Sequence, residues 1–199
     1  MGARALKRAL RRAVRRRGCA VSEPTVLAET RLIAAAGGPA RIVTEASEHG
    51  PAFERLVDRV FGPGRFAKAS QRLREGNVPF AGLCFIALDG AQVVGGVRLW
   101  PVRVGTQAAV FLGPVAVDPD FRSHGLGGEL ILHACEAAKA AGHGAVVLVG
   151  DRSFFEPLGF RGVPSGRLTL PGPADPGRIL WCELSPGACE ALSGAVTVR

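Results

Sequence analysis

The chain has 199 residues, 47% of them hydrophobic, and a formal net charge of +8. That apolar share supports a packed core and excludes a disordered chain, while the longest apolar runs, such as AVVLV at 145–149, fall far short of the ~20 residues of a membrane span. Eight of the 25 Lys and Arg lie in residues 1–22, which hold no acid, and the other 17 balance the 17 Asp and Glu, so the body is neutral and does not suggest nucleic acid.

The charge therefore belongs to an N-terminal arm, read as residues 1–38 and separated by AAAGGPA at 34–40 from one domain over 39–199. In the arm Leu6, Leu10 and Val14 share a helical face, with Ala3 and Ala13 beside them and arginines opposite. Two functional readings stand: an amphipathic anchor touching anionic surfaces, lipid or nucleic acid, and an organelle presequence. The favoured reading is plainer, a disordered extension or an overlong start, and expects that removing 1–38 changes neither folding nor activity. The five cysteines (Cys19, Cys84, Cys135, Cys182, Cys189) form no C-x-x-C pair, which reads as reduced thiols, mostly small core residues, in a cytoplasmic protein. Cys135 and His133 lack further ligands at metal spacing, so no metal is expected.

Residues 41–45 read as a strand. From Pro51 the pattern turns helical, with Phe53, Leu56, Val57, Val60 and Phe61 on one face, until Gly62-Pro63-Gly64 stops it. A second short helix is predicted over 65–75 with Phe66, Ala69 and Leu73 inward, broken by Asn77-Val78-Pro79. Three strands follow: 83–88, a hairpin turn at Asp89-Gly90, then 92–104 with a bulge hinted by Gly95-Gly96 and an edge or bend by Pro101, then 109–117. After a glycine-rich turn, Leu126, Leu130, Ala134, Ala137, Ala138 and Ala141 form a helix face that Gly142 and Gly144 end. Residues 145–149 read as a strand buried on both faces, 154–158 as a short helix, 171–177 as a loop and 178–184 as the last strand. The order mixes hairpins with one β-α-β crossover, an α/β (α+β) class with a mixed sheet flanked by helices.

The turn reads DPDFRSHGLGG at 118–128. A strand that passes through glycines into a helix presents N–H groups with no partner inside the helix, at the positive end of its dipole. That is an anion site suited to phosphate, which glycines let approach the backbone and to which Arg122 adds a charged donor. Three glycines in four positions exceed what chain reversal needs. No lysine follows them, so this is not a P-loop, and Leu130 stands where a dinucleotide fingerprint wants its third glycine. That nucleotide-dependent oxidoreductase reading is the weakest, although Asp151 ends the next strand where a ribose-binding acid would sit.

VAVDPDFRSHGLGGELI resembles the acetyl-CoA signature of the GNAT N-acetyltransferases, with Arg122, Gly125 and Gly127 at its fixed positions. AGHGAVVLVGDRSFFEPLGF and CELSPGACEALSG resemble later blocks of a bacterial branch of predicted N-acetyltransferases in that family. The resemblance implies a mostly antiparallel sheet, bulged in its fourth strand and splayed between the fourth and fifth strands. Acetyl-CoA, as cosubstrate, would lie in the gap. Val115, Ala116 and Val117 would bond its pantetheine arm, and its pyrophosphate would rest on the amides of Ser123, His124, Gly125, Leu126, Gly127 and Gly128 beside Arg122. His124 either touches a phosphate or faces solvent. Phe154 and Phe155 flank the pantetheine arm or its thiol end, or one of them is core. Asp151 either orients the loop, meets substrate or caps a helix.

The implied activity is direct acetyl transfer to a primary amine of a small molecule or peptide. The amine must be neutral, although a free amine has a pKa of ~10.4. The oxyanion needs N–H donors, for which the amides of Val115 and Ala116 are candidates. The tyrosine that often protonates the leaving thiolate in the family is missing, because the chain contains none. Weak candidates for proton transfer are Glu183, His143 and Ser153, or water. The alternative is a catalytically silent acyl-CoA-binding sensor or scaffold. The acceptor segments, 51–75 and 160–184 by resemblance, carry both charge signs (Arg65, Lys68, Arg72, Arg74, Glu75) and select no substrate. The oligomeric state, a homodimer included, stays open.

Overall fold

A computed structural model describes residues 31–35, 38–122 and 125–199. The chain order is β1 (Arg31–Ala35), β2 (Gly38–Thr44), α1 (Gly50–Phe61), α2 (Ala69–Arg72), β3 (Phe85–Asp89), β4 (Gln92–Val104) and β5 (Gln107–Val117). It continues through α3 (Leu126–Ala140), β6 (Ala145–Val149), α4 (Arg152–Phe155), β7 (Arg161–Gly162), β8 (Leu168–Thr169), β9 (Ile179–Glu183) and β10 (Gly194–Val198). The sheet runs β1-β2-β3-β4-β5-β6-β9-β7, with β10 beside β4 and β8 beside β10. β5 and β6 are parallel, as are β8 and β10, and the other pairs are antiparallel.

Two helical layers sandwich this sheet. On one face Leu126, Leu130, Ile131 and Ala134 of α3 pack on Val110, Leu112, Val115 and Val117 of β5. On the other, Phe53, Leu56 and Val57 of α1 pack on Ile86, Leu88 and Ala116, while Ala69 of α2 and Leu73 join Trp100 and Phe111. The glycine pair of β4 serves this close approach. A Cβ on Gly96 would sit 2.6 Å from the Phe53 ring, and one on Gly95 would sit 3.2 Å from Leu130. The bulge expected nearby is present, between Ala87 and Leu88 of β3 opposite β4. Pro101 lies where β4 has lost β3 and not yet met β10, and Asn77 Nδ2 donates to its carbonyl at 2.9 Å.

Several expectations shift. Residues 31–35 and 38, read as the end of the arm, form β1 and the first residue of β2; the rest of the arm lies outside the described residues. The second helix shrinks to α2 after a 3-10 turn at Pro63–Ala67, because Gly62 (φ 63°) and Pro63 restart the chain. Ala69 and Leu73 are buried as expected, but the tighter turn takes Phe66 off their face and leaves it 55% exposed under the Arg65 guanidinium. β9 is not the last strand, since β10 adds to the edge of β4 beyond β3. Cys84, Cys135 and Cys189 are buried and Cys182 is half-buried, all four as free thiols.

Candidate functional site

β5 contains one more residue than β4 across a register shift: Val97 faces Val115, yet Leu99 faces Leu112. The extra length is Gly113-Pro114, and Trp100 Nε1 donates to the Gly113 carbonyl, holding the bulge in place. β5 pairs with β6 only at Val110–Val146 and Phe111–Val147, so past the bulge the two strands part. These are the fourth and fifth strands of the sequence reading, which did not include β1.

Main-chain direction in the gap follows from the ladder. Asp118 N donates to Val94 O at 2.9 Å, making that pair a hydrogen-bonded one. Antiparallel pairs alternate, so Ala116 turns its N–H and C=O toward Gly96, while Val115 and Val117 turn theirs away from β4 and into the gap. Arg122 Nε donates to the Val117 carbonyl at 3.4 Å, consistent with that direction. Of the two candidate oxyanion amides, Val115 faces the gap and Ala116 is occupied in the ladder.

α3 begins at the mouth of the gap. Gly125, its N-cap, has φ 79° and no side-chain cap, so among the described residues the N–H groups of Leu126, Gly127 and Gly128 have no partner and are open to a ligand. Gly127 lines the cleft, and a Cβ there would make ordinary contacts with Val117 and Phe154 at 3.6 Å. These residues fit an anionic group. Ser123 and His124 lie outside the described residues.

Gap and helix start belong to one cleft of about 760 Å³. Val115, Val117, Arg122, Gly125, Leu126, Gly127, Gly128, Phe154 and Phe155 line it; Ala116 does not. Phe154 is 48% exposed, whereas Phe155 is buried against Phe160 and Gly150, so Phe154 is the ring offered to a ligand and Phe155 is chiefly core. Asp151 lines the cleft and caps α4, accepting from Ser153 N at 2.9 Å and Ser153 Oγ at 2.8 Å. Those bonds hold its carboxyl below the usual range. Ser153 thus has its hydroxyl engaged and does not line the cleft.

The other two proton-transfer candidates lie elsewhere. Glu183 faces Ala145 across β6–β9, and His143 precedes that same residue, whereas the cleft opens beyond Val149 at the opposite end of β6. Five residues of strand span roughly 17 Å. Glu183 accepts from Cys189 N at 3.4 Å, and His143 packs on Phe80 with its pKa lowered by burial and then by Arg199.

The far wall comes from α1 and the segment after it. Arg98, on β4, donates to Glu45 at 2.6 and 2.9 Å and also bonds Glu54, tying α1 to the sheet beneath Phe53. Glu54 also meets Arg65 at 3.3 Å, and Asp58 meets Arg65 at 2.8 Å. Arg65, Lys68 and Arg74 line the cleft from this side; the nearby Arg72 and Glu75 do not. The sequence alone does not rank these five. Among the described residues no group of His, Cys, Asp or Glu is gathered as for a metal, and no helix is long and apolar enough to cross a membrane.

The model of the family described as "Acetyltransferase (GNAT) family" matches residues 51–160. The curated "Uncharacterized N-acetyltransferase YhbS" of Escherichia coli K12 is 29% identical over 149 residues, covering 73% of this chain and 88% of that protein. Among solved structures, GNAT family N-acetyltransferase YhbS from Escherichia coli in complex with CoA superposes with a TM-score of 0.70 at 26% identity, over 90% of this chain and 94% of that one. A GNAT family acetyltransferase from Brucella melitensis in complex with acetyl-CoA shares the fold, with a TM-score of 0.61 at 21% identity over 80% of this chain and 96% of that one.

Proposed function

Because the chain belongs to the acetyltransferase (GNAT) family and is an N-acetyltransferase, we propose that it moves the acetyl group of acetyl-CoA directly onto a primary amine held in the same cleft. The observation that carries this reading is the continuity of the β5–β6 gap with the uncapped start of α3. Acetyl-CoA supplies the thioester; the chain binds, orients and shields it. The amides of Leu126, Gly127 and Gly128, with Arg122, hold the pyrophosphate. The gap-facing main chain of Val115 and Val117 holds the pantetheine arm, and the Val115 N–H is aimed where a carbonyl oxygen gains charge. Phe154 covers the arm.

Proton handling in this proposal falls to water. The carboxylates lining the cleft, Asp151 and Asp175, each cap a turn, and Asp151 is held below the usual range, which makes it a poor base. A thiolate with a pKa near ~8.5 leaves without strong acid help, so the missing tyrosine is no obstacle. The free thiols suit a cytoplasmic protein, and residues 1–30 are proposed to be dispensable for transfer. The test is calorimetric titration with acetyl-CoA, followed by a thiol-release screen over amines. Absence of acetyl-CoA affinity overturns the proposal; binding without release from any amine favours a silent acyl-CoA-binding module.

A further inference from the structure

The cleft passes through the sheet, and its two sides differ in charge. The α3 start lies on the face of Val115 and Val117; the α1–α2 wall lies on the face of Phe111 and Ala116. A phosphate at the α3 start therefore does not pair with the cations of the opposite wall. Arg65, Lys68 and Arg74 line the cleft from that wall; the one acid lining it on this face, Asp175 of the loop packed against Ala69, accepts from Gly177 N at 2.9 Å and, among the described residues, forms no ion pair with them.

These cations are not equally engaged. Arg65 pairs with Glu54 and Asp58, yet its Nε is buried without a partner among the described residues. Lys68 is exposed beside the Phe61 ring. Arg74 donates Nε to the Ser70 carbonyl at 3.1 Å, and among the described residues no carboxylate lies within ion-pair distance of it. Burial, and then the like charge of Arg65, lower its pKa to about 10. A desolvated guanidinium facing a cleft, with its remaining donors unpaired by an acid, is a site built for an anion.

We propose that the acceptor is a primary amine that also carries a carboxylate, with Arg74 receiving that carboxylate and Arg65 and Lys68 supporting it. The proposal rests on the acyl-transfer reading for the identity of the reaction, but the anion site is measurable without turnover. An amine anchored through its carboxylate on the α1–α2 wall meets the gap from the face opposite the phosphates. Cationic polyamines are repelled by the same wall.

The experiment uses the full chain and matched probes: the twenty amino acids, their carboxamides and spermidine. Binding is read by calorimetry with and without CoA, and transfer by thiol release. At least one amino acid is expected to bind roughly tenfold or more tightly than its carboxamide, and to be the better acceptor. Arg74→Gln erases that preference while acetyl-CoA affinity stays within about twofold; Arg72→Gln, off the cleft, keeps the preference. Equal binding of acid and amide, binding of no amino acid, or a preference that survives Arg74→Gln overturns the subsite. Since amino-acid binding is scored in the CoA-free arm too, a protein that fails to bind acetyl-CoA but keeps the preference sinks the transfer reading alone.

Discussion

The two walls of the cleft are built from different materials. The α3 wall is made of backbone: uncapped N–H groups at Leu126, Gly127 and Gly128 and the gap-facing main chain of β5. The α1–α2 wall is made of long side chains, Arg65, Lys68 and Arg74, of which Arg65 is held by ion pairs with Glu54 and Asp58. A backbone wall fits a phosphate common to every turnover. A side-chain wall can be retuned by single substitutions, and so it is where acceptor choice is expected to reside.

The sharpest way to break this division is Gly127→Glu. The position has room for a Cβ, so the fold should persist, but the carboxylate would occupy the phosphate's place. Acetyl-CoA affinity should fall by roughly a hundredfold or more in calorimetry, with the amine-side preference intact. An unchanged affinity would refute the assignment of the α3 wall. Gly96→Ala tests the sheet that both walls share. Its Cβ would collide with Phe53 and Ile86, and chemical denaturation should show a loss of about 1–3 kcal/mol. Trp100→Phe removes the donor to the bulge carbonyl of Gly113; we expect about 1 kcal/mol less stability and a lower kcat, with the acetyl-CoA Kd little changed.

A smaller effect separates function from stability on the side-chain wall. Arg74→Met removes a desolvated cation beside like charges, so the melting temperature should rise by about 1–3 °C even as the acceptor KM worsens. Smallest is the effect at the far end of the sheet. Glu183→Gln and His143→Ala should leave transfer within about twofold of the parent, because neither residue reaches the cleft. His143 does bear on stability. Its pKa is lowered in the folded state, so as pH falls through the ordinary 6.5 the unfolded chain takes up the proton first. Stability should therefore decline below that pH, and His143→Ala should flatten this part of the profile.

The α3 wall was legible in DPDFRSHGLGG because a helix start and its free amides are local properties, carried by the glycines and the apolar period that follows. The α1 face, the hairpin of β3 and β4 and the buried β6 were legible for the same reason: burial with a fixed period leaves a pattern within one segment. Gly95-Gly96 was visible as unusual, but its purpose, admitting Phe53 and Leu130 to within contact of the strand, depends on two helices distant in sequence. β1 and β10 escaped notice because short strands gain their identity from the partners they pair with.

Residue types and spacing by themselves determined the fold class, the family resemblance and the glycine-rich turn that opens α3. Tertiary structure alone decided which charges line the cleft. It turned Arg65, Lys68 and Arg74 into the cleft, left Arg72 and Glu75 outside it, and carried Glu183 and His143 to the wrong end of β6. The reason is physical: a backbone amide's direction is set by its own helix or strand, whereas a side chain's company is set by long-range pairings that no local pattern records.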